Sequence, residues 1–599
     1  MKRAPQARTA KEPRNLGKTI AQVGVIVAAV IVVYLPAFGA GFVWDDEQLI
    51  TGNPLLRTIS GLGEIWSGGR TADYFPLTNT VFWIGWHVFG NNPAGYHAVN
   101  ILLQAADAIL VWVVLRRLTI PGAWLTGLLF AIHPINAESV AWISELKNVL
   151  AMFFLLLSLF CFFPIEDSQS PRRRANYVAS ICFFVLALLS KSQAVFLPPV
   201  LLLCAWWRSG EVNSPTFRRQ AIGTWPFFAA AIGFGLVTIW FQNRGIGEEV
   251  IIIGSLGRRL ANAGMAIWWY GEKVIVPARL MAIYPPWKFD SVHIWEWLPL
   301  IGIVLCVGLL WYWRNRGTNG AFVAVACFIL ALAPVLGFLR MAYLRSDTLV
   351  ADHFVYFADV PLLALIAAAI VRVWSYAQRF VQVVIATLVG GAVLASGIYA
   401  STRAAVFHDE ETLWHDTLAK NPDAWQAQVR LGQLLFSRQD YPGALPHLES
   451  AVRLKPELPD NRNLLGLDYC RLQRFEEGIA EYRKALALEE ARSAAERSPV
   501  ATIRTNLANA LTLSANTIDG GAANIPEEAR RRYDEAVTQY EKALEIEPEQ
   551  PAIHRNLGML LARLGRNDEA IAHLRKTLQL VPNEPTAREV LEEIGAHER

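Results

Sequence analysis

The chain is 599 residues long, 53% hydrophobic and only 18% charged. That composition excludes an ordinary soluble domain, in which about a quarter of residues are charged. The net charge of +3 averages two unlike parts, an apolar part rich in Trp, Phe and Leu from 19 to 400 and a charged, Ala/Leu/Glu/Arg-rich part from 405 to 599. No nucleic-acid partner is expected from it.

The amino end carries Lys2, Arg3, Arg8, Lys11, Arg14 and Lys18 ahead of its first apolar run. A secretory signal looks similar, but a run of about 20 apolar residues suits an uncleaved span. Eleven spans are expected, at roughly 19–41, 96–115, 121–140, 146–164, 176–190, 194–208, 223–242, 296–313, 320–339, 354–373 and 379–400. Basic residues mark alternate connections: Arg116-Arg117, Arg172-Arg173-Arg174, Arg208 with Arg218-Arg219, Arg314 with Arg316, and Arg372 with Arg379. By the positive-inside rule these face the cytoplasm. Residues 1–18 are then a cytoplasmic tail, 19–400 a polytopic domain of the inner (plasma) membrane, and 405–599 an extracytoplasmic, periplasmic domain. Leu260 to Val276 holds Glu272 and Lys273 and is expected to lie in the interface or re-enter; if it spans, every later segment inverts. Five of the six cysteines (Cys161, Cys182, Cys204, Cys306, Cys327) fall in apolar segments and Cys470 stands alone, so no disulfide framework is visible.

The suspicious polar clusters, in chain order, all fall on the outer side. Asp45, Asp46 and Glu47 follow Phe42 and Trp44 at the end of the first span. Carboxylates crowded against an apolar helix are costly, and a partly dehydrated setting raises a carboxyl pKa toward values useful to a general base. A divalent cation, Mg or Mn, is the other use for such acids, and an N-cap in a solvated loop is the plain one. Asp73-Tyr74-Phe75-Pro76 lies later in the same outer loop. Tyr96, His97 and Asn100 open the second span, either as a polar face or as interfacial anchors. His133-Pro134 and Glu138 end the third span, with Glu145 and Lys147 in the turn after it; they are functional candidates or mutual staples between two helices. Lys191, within Ser190-Lys191-Ser192, suits a phosphate group or a lipid headgroup. Tyr284-Pro285-Pro286-Trp287 shapes an acceptor groove or floats at headgroup level. Arg340, Arg345, Asp347, Asp352 and His353 crowd the last outer loop, and Arg with His suits a phosphate ester. No Gly-rich nucleotide loop, Cys/His metal spacing or Ser-His-Asp order is present. A nucleotide-sugar donor from the cytoplasm is therefore disfavoured, whereas a lipid phosphate at the outer leaflet fits.

The polar part repeats with a period of 34 residues: Pro422 and Pro456 are that far apart, as are Pro548 and Pro582. Leu431-Gly432, Leu465-Gly466 and Leu557-Gly558 recur in the first helices. Ala444, Gly478, Ala536 and Ala570 hold the small-residue position where two helices cross. This resembles tetratricopeptide repeats (TPR). The third repeat carries an insertion around Ser514 to Glu528, and Trp414 to Pro422 reads as a leading half-repeat. Such arrays stack into a superhelix whose concave face takes extended peptide, or act as a rigid spacer. The predicted fold class is all-α, a helical membrane domain of about 11 spans followed by a soluble TPR α-solenoid.

The acid pair after the first span resembles the C-type glycosyltransferase fold (GT-C), whose members use polyprenyl-phosphate sugars. The order FVWDDEQLI, YFPLTNTVFW, GYHAVNILL, AIHPINAESVAW, LLSKSQAV and ADHFVYFAD, with repeats outside, resembles the TPR-containing transmembrane O-mannosyltransferases of the cadherin-targeting type and their bacterial relatives. That resemblance implies an inverting enzyme moving a hexose, mannose in the named family, from a polyprenyl-phosphate donor to a protein Ser or Thr presented by the repeats. It implies Asp45 as general base, and Asp46 as the residue that orients the acceptor or holds a divalent ion. Lys191 and Arg345 or His353 would face the donor phosphate, and Glu47, Tyr74, His97, His133, Glu138 and Asp352 complete the expected substrate surroundings. The chain departs from the pattern at His353, where relatives carry Arg, since His is charged only part of the time near neutral pH. A lipid-substrate transporter or a non-catalytic envelope scaffold are the alternatives. The transporter is disfavoured because the ionisable residues sit at the outer ends of spans and no internal duplication precedes residue 400.

Overall fold

A computed structural model describes residues 16–68, 73–163, 172–211, 213–246, 254–287, 293–342, 344, 348–491, 498–521 and 524–595. Regular structure among the described residues is helical throughout, with no strand. The chain divides into two compact units, Met1–Asn421 and Pro422–Arg599.

The first unit opens with α1 (Leu16–Val33), α2 (Ile59–Ser67), α3 (Pro76–Phe89), α4 (Pro93–Arg117), α5 (Ala123–Ile132), α6 (Ala137–Ala141) and α7 (Leu146–Phe162). It continues with α8 (Arg172–Ser190), α9 (Leu197–Ser209), α10 (Pro215–Gly223), α11 (Trp225–Ile246) and α12 (Leu256–Ile275). It closes with α13 (Leu298–Tyr312), α14 (Asn319–Leu332), α15 (Asp359–Tyr376), α16 (Arg379–Val406) and α17 (Glu410–Lys420). Eight helical stretches among the described residues are long and apolar enough to cross a membrane: Leu16–Val33, Pro93–Arg117, Ile143–Phe162, Arg173–Ser190, Pro215–Ile246, Ile294–Tyr312, Asp359–Tyr376 and Arg379–Val406. Two shorter apolar helices, Ala123–Ile132 and Asn319–Val335, join them, and the expected span 194–208 is the 13-residue α9. The unit is that of a multi-pass membrane protein. Along α13 and α16, Leu298, Val304, Leu305, Phe380, Leu388, Leu394 and Ile398 are exposed; apolar rows of that size need a lipid solvent.

Helix ends follow local chemistry. The first helix stops at Val33, short of the expected 41, because Pro36 starts a 3-10 turn, Leu35–Gly39. The last part of the ADHFVYFAD stretch joins a helix only at Asp359. Asn92 caps α4, accepting from Ala94 N at 3.1 Å with Pro93 in the first turn, and Arg116 and Arg117 close the helix where its dipole favours cations. α4 packs on α1, α5 and α7. Its crossing with α5 is close at Gly127, where a Cβ would lie 2.8 Å from the Ala108 carbonyl oxygen. α12 carries Arg258, Arg259, Glu272 and Lys273 and stands outside the eight.

α17 belongs to the first unit. Lys420 Nζ donates to Leu280 O at 2.9 Å and Asn421 Nδ2 to Ile283 O at 3.1 Å. Residue 405, the expected start of the repeat domain, thus precedes a helix held by the membrane unit.

The second unit stacks α18 (Trp425–Ser437), α19 (Tyr441–Leu454), α20 (Pro459–Arg471), α21 (Phe475–Glu490), α22 (Ser498–Asp519), α23 (Glu527–Ile546), α24 (Pro551–Arg563), α25 (Asn567–Leu580) and α26 (Pro585–Glu593). The pairs are TPR-like helical hairpins. The expected insertion lengthens α22 to 22 residues and α23 to 20. Tyr482, Tyr533 and Tyr540 fill the crossings between small residues.

Candidate active site

The acidic triplet sits on a turn fixed by one unusual backbone conformation. Trp44 has φ +55°, a left-handed value that is strained for a bulky residue and held only by strong surroundings. Its indole stacks on Trp142 at 4.5 Å and meets Trp414 edge-on at 5.2 Å. Its amide donates to Glu410 Oε1 at 3.0 Å. The three acids that follow part company. Asp46 is fully buried: Oδ2 accepts from Val43 N at 2.9 Å, and Oδ1 accepts from Ser144 N at 2.8 Å and from the Ser144 hydroxyl. Burial pushes its carboxyl up to about 7 against the pull of these donors. Asp45 is half-buried and Glu47 exposed.

Asp45 and Asp73 lie within electrostatic reach of Lys147, and Asp73 also reaches Lys191. The Asp73 carboxylate accepts from Gln242 Nε2. Glu145 stands between the two lysines, 2.8 Å from Lys147 Nζ and 3.4 Å from Lys191 Nζ. Lys191 Nζ also donates to Asn148 Oδ1 at 2.6 Å, and Asn148 Nδ2 donates to Glu145 Oε2 at 2.6 Å and to the His353 carbonyl at 3.0 Å. Burial brings the Lys191 ammonium down to about 8, with Glu145 drawing it back up. The staple foreseen for Glu145 and Lys147 exists, and it includes Lys191.

Behind this group lies a second one. His353 Nδ1 and Glu138 Oε1 are 2.5 Å apart. Burial holds the His353 imidazole down at about 3, so near neutral pH it is uncharged beside Glu138. Asp352 Oδ1 accepts from Tyr284 OH at 2.7 Å, and burial raises its carboxyl to about 6 although Arg403 pulls it down. Arg403, from the C-terminal end of α16, donates from Nη1 to Asp416 Oδ2 at 2.8 Å. Arg403 is absent from the residues expected from sequence, although a lone basic residue beside the connection expected to lie outside runs against the positive-inside pattern.

The remaining expected residues lie apart from these groups or act on the backbone. His133 Nε2 bonds Val274 O at 3.0 Å and Nδ1 accepts from Ile135 N at 3.3 Å, tying the α5 end to α12. His97 is buried against the backbone of Ala40, Gly41 and Ala141. Tyr74 donates to Trp66 O at 3.1 Å, stacks on Phe241 at 4.9 Å and lines an apolar groove of about 480 Å³ with Leu236, Val237 and Trp240. Arg345 and Asp347 lie outside the described residues. Among the described residues no group of three or more His, Cys, Asp or Glu side chains could hold a metal ion. Asp46 does not fit as a ligand of a divalent cation, because both its oxygens face protein donors.

Ionisable residues are not confined to the ends of spans. Asp107, in the middle of α4, accepts from Tyr356 OH at 3.1 Å, and Asp359 accepts from Asn136 Nδ2 at 2.9 Å. These hydrogen-bonded acids tie α4 to the turn before α15 and the α5–α6 turn to α15 itself.

Residues 73–240 match the family model for dolichyl-phosphate-mannose-protein mannosyltransferase. Residues 411–459 and 527–585 match a tetratricopeptide repeat model. The chain is similar to a protein O-mannosyl-transferase, F38B6.6, of Caenorhabditis elegans, 25% identical over 32% of this chain and 29% of the relative. It is also similar to the human protein O-mannosyl-transferase TMTC4, 29% identical over 28% of this chain and 27% of the relative. The mouse protein O-mannosyl-transferase TMTC2 is 35% identical over 22% of this chain and 17% of the relative. The chain thus spans less than a third of the length of each of these curated relatives. Among solved structures, YrrB, a TPR protein with an unusual peptide-binding site, is 20% identical over 33% of this chain and 87% of that one, with a TM-score of 0.25.

Proposed function

We propose that the chain is a membrane glycosyltransferase moving a hexose, mannose by likeness to its relatives, from a polyprenyl-phosphate donor to a protein Ser or Thr hydroxyl on the extracytoplasmic face. The observation that carries this reading is that Asp45 and Asp73 lie within electrostatic reach of Lys147, which Glu145 bridges to Lys191. The acceptor oxygen attacks the anomeric carbon as the bond from that carbon to the phosphate oxygen breaks. Asp45 takes the hydroxyl proton, and the electron pair leaves with the phosphate. Lys147 and Lys191 stabilise that departing charge, with Arg345 a further candidate for the same role. Asp46 holds the turn that carries Asp45. The apolar groove beside Tyr74 accommodates the donor's hydrocarbon chain. The acceptor lies extended along the repeats, whose groove of about 540 Å³ is lined by Asn506, Asn509, Asn556, Tyr482 and Tyr540.

The test is the Asp45→Asn variant of the purified protein, given labelled lipid-phosphate mannose. Transfer is expected to fall by at least a hundredfold with the melting temperature unchanged. Full transfer by the variant contradicts the base assignment.

A further inference from the structure

Among the buried polar atoms of the described residues that lack hydrogen-bond partners, two belong to the group around Asp352 and His353 and are complementary. Arg403 Nη2 is a donor without an acceptor and Glu138 Oε2 an acceptor without a donor. Both residues are almost fully buried, Arg403 2% and Glu138 1% exposed. An orphaned buried polar group is costly, and native proteins leave few of them. The two side chains lie within electrostatic reach of each other and of Asp352, and Glu138 also senses Glu145.

The chemistry that would satisfy both atoms follows from this set. A phosphate only accepts, and three neighbouring carboxyl groups oppose its charge. A cation only donates or coordinates, and Arg403 opposes it. A hydroxyl accepts from Arg403 Nη2 and donates to Glu138 Oε2, satisfying both at no cost in charge. The surroundings suit a sugar: Tyr284 with Trp269 packed edge-on at 4.7 Å, and His353 with Trp142 at 6.1 Å. His353 is the more exposed side chain of the Glu138–His353 pair, at 15% against 1%.

We infer that Glu138 and Arg403 form the hydroxyl-recognition subsite for the transferred hexose, with one ring hydroxyl bridging Glu138 Oε2 and Arg403 Nη2 and setting which sugar is accepted. Asp416 positions Arg403 through Nη1. The inference rests on the proposed glycosyltransferase reading and deepens it from reaction class to sugar selection.

The experiment compares lipid-phosphate mannose with its single-deoxy analogues as donors for the wild type, Glu138→Gln and Arg403→Lys, with melting temperatures showing that each variant folds. The wild type is expected to disfavour one analogue by at least a hundredfold in kcat/KM, and both variants to shrink that preference below about tenfold for that analogue alone. Equal use of all analogues by the wild type, or a uniform loss across donors in the variants, overturns the inference and leaves an ordinary buried water as the bridging group. If the wild type transfers from no lipid-phosphate hexose, the proposed function falls. Ligand-observed NMR with methyl mannoside and its deoxy forms then decides the subsite separately: binding that depends on one hydroxyl and on Glu138 upholds it, and no such dependence removes it.

Discussion

Asp45, Asp46 and Glu47 are consecutive and chemically alike, yet their surroundings give them different work. Asp46 receives three hydrogen bonds, two of them from Ser144. Replacing it with Ala strands those donors and is expected to cost about 2–4 kcal/mol at pH 5. Its folded carboxyl titrates at about 7 against an ordinary 3.8. The fold therefore favours the neutral form, and its stabilising contribution is complete below about pH 4 and lost as pH rises through 7. Thermal unfolding of wild type and Asp46→Ala across pH 4 to 8 checks both points: the gap should narrow with rising pH, and a constant gap contradicts the assignment. The triplet itself was legible in the sequence because three acids abut a span. Its division of labour was not, since the Ser144 partner lies far along the chain. Lys191 was legible as an oddly placed cation; Arg403 was not, because it falls between the last expected span, ending at 400, and the repeat part expected from 405.

At the scale of elements, apolar runs located the membrane helices well and their ends poorly. Pro36 ends α1 early, and the chain between Asp352 and Asp359 forms short 3-10 and turn structure instead of helix, because its buried polar groups bond across the bundle. Asp107 was readable in the run NILLQAADAILVW, but its partner Tyr356 was not, so a structural tie between α4 and the turn before α15 went unforeseen. The α4–α5 crossing depends on Gly127. A Cβ there meets the Ala108 carbonyl oxygen at 2.8 Å and Trp112 Cβ at 3.0 Å, so Gly127→Val is expected to cost about 1–3 kcal/mol by overpacking. A melting temperature equal to that of wild type would show that the helices separate at no cost.

The whole molecule joins a membrane unit to a repeat unit, and the junction matters for any truncation. α17 supplies Glu410 to Trp44 and Asp416 to Arg403, so a chain cut near 405 loses contacts to the site whereas one cut after Asn421 keeps them. Without residues 422–599, transfer to a short peptide at high concentration should persist and KM for a full protein acceptor should rise by about 10–100-fold, because the local acceptor concentration is lost. An unchanged KM would make the repeats a spacer. The repeat period and the two-part composition announced this architecture in the sequence, since each TPR hairpin needs the same small residues at the same crossings. The start of the repeat unit was less legible, because α17 looks like a repeat helix and is bonded to the membrane unit.

The central claim is the nature of the donor. The measurement that tests it most directly supplies purified protein in detergent, with an envelope protein extract as acceptor, either labelled mannose on a polyprenyl phosphate or the same label on a nucleotide. Label entering protein from the lipid donor alone is the predicted result. Label entering from the nucleotide sugar, or from neither donor, would contradict the account.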